Sequence, residues 1–136
     1  MANEDEGKSD ATTEWEGTLG DGWMNGKPFP KRGEIYWVDL EPTKGGETKK
    51  IRPGLVVSND IGNESSNVIM IASITSKVAR IYPFEVKITM DNKEAKIMLN
   101  QCRALDKSRF GKKIGEVDLE TMRAVEEAIK LVFSIT

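Results

Sequence analysis

Two side chains in this sequence stand out as able to act on a phosphodiester. Arg52 lies directly before Pro53 at the start of an apolar run, so a rigid backbone launches a guanidinium that stays charged at any working pH. Its planar fork can grip two non-bridging phosphate oxygens, and an ion pair with a nearby carboxylate is the ordinary alternative. Thr75 closes the apolar run that begins at Val68, with Ser76 and Lys77 after it. A hydroxyl there is held by the strand and exposed by the loop, although hydroxyls at strand ends also serve simply to satisfy turns.

Three further segments could grip or read a nucleic acid. The polar stretch from Pro42 to Lys50 sets Lys44, Lys49 and Lys50 against Glu47 and hinges on Gly45-Gly46. That composition suits a loop closing over a phosphate backbone, and equally a solvated hairpin. Asn100-Gln101-Cys102-Arg103 interrupts an apolar stretch with amide and guanidinium groups, which can meet a base edge or face water on an edge strand. Lys107, Arg109, Lys112 and Lys113 surround Phe110, either as a patch tracking a nucleic-acid backbone or as a solvated turn.

Other chemistries are excluded. The chain of 136 residues has no histidine and one cysteine, so an imidazole base, a His-ligated metal and a Ser-His-Asp relay are all absent. Cys102 can form no internal disulfide and has no histidine to activate it. Gly26-Lys27 and Gly111-Lys112 lack the spacing and the following Ser or Thr of a phosphate loop. Asn63-Glu64-Ser65 spells a glycosylation sequon but reads as a turn, because the N-terminus carries no secretion signal. No apolar run reaches the roughly 20 residues that span a bilayer. The expectation is a cytoplasmic protein without membrane contact or cofactor.

The elements that must position Arg52 and Thr75 follow from texture. Residues 1–30 hold seven acidic residues, two basic ones and five of the twelve glycines, and read as an acidic, Gly-rich arm in which Trp15 and Trp23 are the only large rings before Phe29. Residues 31–136 form one domain and keep eighteen bases against fifteen acids, a modest excess that suits a polyanion partner. Short β-branched runs predict strands over Glu34–Leu40, Gly54–Ser58, Val68–Ile74, Phe84–Ile88 and Lys96–Leu105. Val68 to Ala72 reads as a central strand covered on both faces, and Phe84, Val86 and Ile88 alternate with an exposed Glu85 and Lys87. Asp118 caps a helix whose apolar face is Leu119, Met122, Val125, Ile129 and Val132. The fold class is mainly β, a small, nearly closed antiparallel barrel with a C-terminal helix.

In order along the chain, Arg32-Gly33-Glu34-Ile35-Tyr36-Trp37-Val38-Asp39-Leu40, Pro42 with Gly45-Gly46-Glu47, Arg52-Pro53, Val56-Val57 with Asn59-Asp60, Ile74-Thr75-Ser76 and Gln101-Cys102-Arg103-Ala104-Leu105-Asp106-Lys107 resemble the MazF/PemK toxins. The likeness covers about residues 32 to 134. It implies an SH3-like barrel, a homodimer, and a ribosome-independent, metal-independent endoribonuclease that cuts single-stranded RNA at a short sequence and is neutralised by a cognate MazE/PemI-like antitoxin.

Carried over, the family's catalytic arginine and threonine fall on Arg52 and Thr75. Glu47, Thr48 and Lys49 lie in the RNA-covering loop, and Gln101 matches a substrate-side glutamine. RNA supplies its own nucleophile, the 2′-hydroxyl, so positioning and charge neutralisation suffice without histidine or metal. The sequence does not assign the group that takes the proton; Glu47 and an arginine-assisted water are two candidates. The loop departs from the family's Gly-Ser-Glu-Gln, reading Gly45-Gly46-Glu47-Thr48, so the cleaved sequence does not transfer from a relative. Two rival readings are a CcdB-type gyrase inhibitor, whose C-terminal Trp-Gly-Ile is missing here, and a non-catalytic RNA-binding barrel.

Overall fold

The computed structural model describes residues 29–40 and 50–136. The acidic arm up to residue 28 and the loop 41–49, with Glu47, Thr48 and Lys49, lie outside the described residues. The elements are β1 (Glu34–Asp39), β2 (Ile51–Val56), α1 (Asp60–Ser65), β3 (Val68–Thr75), β4 (Glu85–Met90), β5 (Lys93–Asp106), a 3-10 turn (Lys107–Arg109), β6 (Phe110–Glu116) and α2 (Leu119–Phe133). The strands form one antiparallel sheet in the order β4-β5-β3-β2-β1-β6.

The sheet is a curled half-barrel rather than a closed one. Among the described residues, β4 and β6 remain unpaired edges, yet Ile88 and Met90 of one line the same cavity as Ile114 of the other. Alternation of side chains makes two apolar layers. Ile35, Leu55, Ala72, Ile74, Ile97 and Leu99 meet Met122, Val125 and Ala128 of α2. The opposite layer joins Tyr36, Val38, Val56, Ile69, Ile71, Leu105 and Phe110, and β6 brings Phe110 to it fully buried. Burying a side chain of that size stabilises by about 1.5–3 kcal/mol.

Local chemistry sets the ends. Asp118 accepts from the Thr121 N–H at 2.8 Å and starts α2. Ser134 stops it in a left-handed conformation (φ 57°) while the Ile135 N–H returns to the Lys130 carbonyl at 2.8 Å, a Schellman-type closure. Asn59 caps α1 by accepting from the Gly62 N–H.

Several expectations are corrected. Residues 110–116 are a strand, not a solvated turn, and α1 occupies a stretch read as a turn. Asn63 is 1 % exposed and hydrogen-bonded to the Ser58 carbonyl. In β3 only the second half is covered on both faces, since Val68 and Met70 are exposed. Glu85 does not face water but a buried partner. In α2, Leu119 is exposed, and Ala128 completes the buried stripe instead.

Tight packing lies beneath the site. A Cβ built on Gly54 would come within 3.2 Å of both Ile71 Cδ1 and Val38 Cγ2. Among the described residues, no helix is long and apolar enough to cross a membrane.

Candidate active site

Pro53 decides how the site opens. The Leu40 N–H donates to the Lys50 carbonyl at 2.9 Å, which fixes the parity of β2: even-numbered residues turn their backbone groups to β1 and odd-numbered ones to β3. Pro53 faces β3 with no N–H to give. The β2–β3 ladder accordingly ends at Gly54↔Ser73. Carried two residues further, the same register would set Arg52 opposite Thr75, on one face of the sheet. The strand ends part there around a cavity of about 480 Å³ lined by both residues.

The two side chains are differently committed. Arg52 Nη1 donates to the Ile51 carbonyl at 3.0 Å, and among the described residues the guanidinium has no carboxylate partner. The Thr75 hydroxyl accepts from the Lys77 N–H at 3.2 Å. That turn bond fixes the oxygen and leaves its proton to be donated. Trp37 and Pro53, partners across β1 and β2, form an apolar part of the lining. Lys77 and Lys93 add positive charge. The cavity can therefore take a phosphate group against cations and a flat ring against Trp37.

Residues 31–133 match the family described as PemK-like, MazF-like toxin of type II toxin-antitoxin system. The chain belongs to that family. Endoribonuclease EndoA of Bacillus subtilis is 38 % identical over 106 residues, covering 74 % of this chain and 91 % of the relative. Endoribonuclease MazF9 of Mycobacterium tuberculosis is 34 % identical over 110 residues, covering 74 % and 93 %. The fold is shared with MazF from Deinococcus radiodurans (TM-score 0.68, 24 % identity, 80 % of this chain and 100 % of that one). It is also shared with a mycobacterial endoribonuclease solved with its cognate antitoxin (TM-score 0.67, 23 % identity, 79 % and 97 %).

Other residues of this toxin that the sequence put forward fall elsewhere. Gln101 is exposed within a bulge of β5, between Met98, which pairs with Ser73, and Cys102, which pairs with Ala72. It is not among the residues lining the Arg52–Thr75 cavity. Arg103 Nη2 donates to the Leu40 carbonyl at 3.1 Å, and burial pushes the Cys102 thiol up, away from a thiolate.

The basic segment after β5 is largely structural. Lys107 Nζ donates to the Glu64 carbonyl, Arg109 pairs with Asp39 at 3.4 Å, and Lys113 lies 3.0 Å from Glu34 and 3.3 Å from Glu116. Burial alone would raise the Glu34 carboxyl; the Lys31 N–H, the Tyr36 hydroxyl and Lys113 outweigh it and hold it below its ordinary value.

Lys96 is a buried cation next to the site that the sequence did not reveal. It lies opposite Thr75 in the β3–β5 ladder, and its ammonium donates at 2.8 Å to both Glu85 and the Arg80 carbonyl. Glu85 in turn accepts from the Tyr82 N–H at 2.9 Å. The segment after Thr75 is thus tied to the barrel wall. Burial pushes the Glu85 carboxyl up, and the hydrogen bonds from Lys96 and Tyr82 more than reverse this, leaving it low.

Proposed function

We propose that the chain is an endoribonuclease toxin in which Arg52 and Thr75 cut single-stranded RNA without a metal. The observation that carries this reading is the meeting, in one cavity, of a guanidinium with no carboxylate partner among the described residues and a half-committed hydroxyl, within a family whose curated relatives are endoribonucleases. The 2′-oxygen of the substrate bonds to phosphorus as the P–O5′ bond breaks. One proton leaves the 2′-hydroxyl and one reaches the departing 5′-oxygen. Arg52 holds the non-bridging oxygens as charge builds on them, and Thr75 donates to the phosphate or the 2′-oxygen. The products are a 2′,3′-cyclic phosphate and a 5′-hydroxyl. Glu47, Thr48 and Lys49 close over the RNA, and Gln101 contacts it further along the strand.

The protein acts in the cytoplasm as a homodimer, with residues 31–136 as the toxin domain and residues 1–30 as an acidic arm. Its activity is held in check by a cognate antitoxin whose flexible acidic tail competes for the cationic cleft. Structural neighbours solved as complexes with an antitoxin support that partner.

The full chain, with Arg52→Ala and Thr75→Ala variants, is incubated with labelled single-stranded RNA in EDTA. Cutting by the wild type and its loss in both folded variants is the expected result, with 5′ ends that accept a kinase label directly. RNA bound but left whole by the wild type would instead make the protein a binding module. Inhibited supercoiling with intact RNA would make it a gyrase inhibitor.

A further inference from the structure

The cleft contains one charge that gripping a phosphate does not need. Asp91 lines it together with Arg52, Lys77 and Lys93. Among the described residues its carboxylate has no hydrogen-bond or ion-pair partner. Glu94, the other carboxylate of the lining, is drawn to Lys87 at 3.1 Å. Asp91 stands at a fixed place, because Asp91 and Asn92 form a two-residue hairpin turn with φ of 50° and 64°, closed by Met90↔Lys93. Such a turn is the left-handed pair that joins two twisted strands tightly.

A bare carboxylate beside a polyanion repels it unless it meets groups that donate hydrogen bonds. In single-stranded RNA the donors are the exposed edges of the bases. Resting on the endoribonuclease reading above, we infer that Asp91 is a specificity-determining residue, whose carboxylate reads the Watson–Crick edge of one base near the scissile phosphate and selects bases with an amino donor. Guanine presents N1–H and the 2-amino group side by side, matched to two carboxylate oxygens. Cytosine and adenine offer one amino group beside an acceptor. The single N3–H of uracil lies between two carbonyl oxygens that the carboxylate repels. At that position the order is guanine, then cytosine or adenine, then uracil. Trp37 supplies a ring face in the same cavity on which a base can stack.

Asp91→Asn is the informative variant, since asparagine tolerates the left-handed turn while removing the charge and turning one acceptor oxygen into an amino donor; Asp91→Ala removes the polar group altogether. Wild type and both variants, as full chains, cut a randomised single-stranded RNA pool, and the fragment ends are sequenced. The expected result is that one position of the cut motif loses its preference for amino-bearing bases by about tenfold or more in both variants, with the other positions unchanged. An unaltered motif in the variants, or an equal loss of cutting on every sequence, would overturn the inference while leaving the endoribonuclease reading intact. A wild type that cut no RNA would overturn both.

Discussion

Two regions of this chain look alike in sequence and differ in kind. Around Arg52 the cation lies at the parted ends of β2 and β3, and among the described residues it is bonded to a carbonyl of its own strand and to no carboxylate. Around Phe110 the cations Arg109 and Lys113 are drawn to Asp39, Glu34 and Glu116, and the aromatic ring is fully buried. Basic residues near an aromatic do not by themselves make a nucleic-acid site. What separates the two is whether the fold supplies counter-charges: a cation already matched by carboxylates gains less from a phosphate. Lys96 sharpens the contrast, since it pairs with Thr75 across the β3–β5 ladder and is nevertheless matched, by Glu85.

The largest effect is expected there. Lys96→Met leaves Glu85 charged and 6 % exposed with no ammonium beside it, at a cost of about 3–5 kcal/mol in urea unfolding. Adding Glu85→Gln should recover a good part of that loss. The same pair sets an acid limb. Because the folded carboxyl titrates below its ordinary 4.5, its stabilisation is complete above that pH and is lost as the pH falls through the lower folded value. Glu85→Gln flattens the decline of melting temperature with acid below about pH 4.5.

Arg52→Ala comes next, with cleavage falling by about 10²–10³ and the unfolding midpoint nearly unchanged. Arg52→Lys keeps the charge, loses the fork, and is expected to fall between the two in a cleavage assay. Arg109→Gln should show the reverse pattern, losing about 1–2 kcal/mol of stability with little change in cutting. Lys113→Gln, on a more exposed pair, should cost under about 1 kcal/mol, read in the same melts. If Arg109→Gln abolished cutting at unchanged stability, the distinction between the two regions would collapse.

Much of the frame was legible because its signals are local. Short β-branched apolar runs marked β1, β3 and β5, alternation marked β4, and Asp118 with the spacing of Met122 and Val125 marked α2. Arg52 and Thr75 were legible from residue type and from their order among the family's blocks. β6 was not, because Gly111, Lys112, Lys113 and Gly115 give an edge strand the composition of a turn, and only its pairing with β1 reveals it. α1 is too short for a helical period, and the Asn59 cap that starts it was not singled out in the sequence. The Lys96–Glu85 pair depends on the β4–β5 hairpin register and not on any spacing. Asp91 gave no signal of its own, since an Asp-Asn turn looks the same whether it borders solvent or a cleft.

Gly54 has a bearing on all of this, although no substrate would ever touch it. It lies two residues from Arg52, in the last rung of the β2–β3 ladder, where an added Cβ would crowd Ile71 and Val38. One added methyl there would act as a wedge, levering the strand that bears the guanidinium away from the one that bears the alcohol. On the proposed reading, the span across which a phosphorus atom must fit rests on a glycine with no room for a side chain.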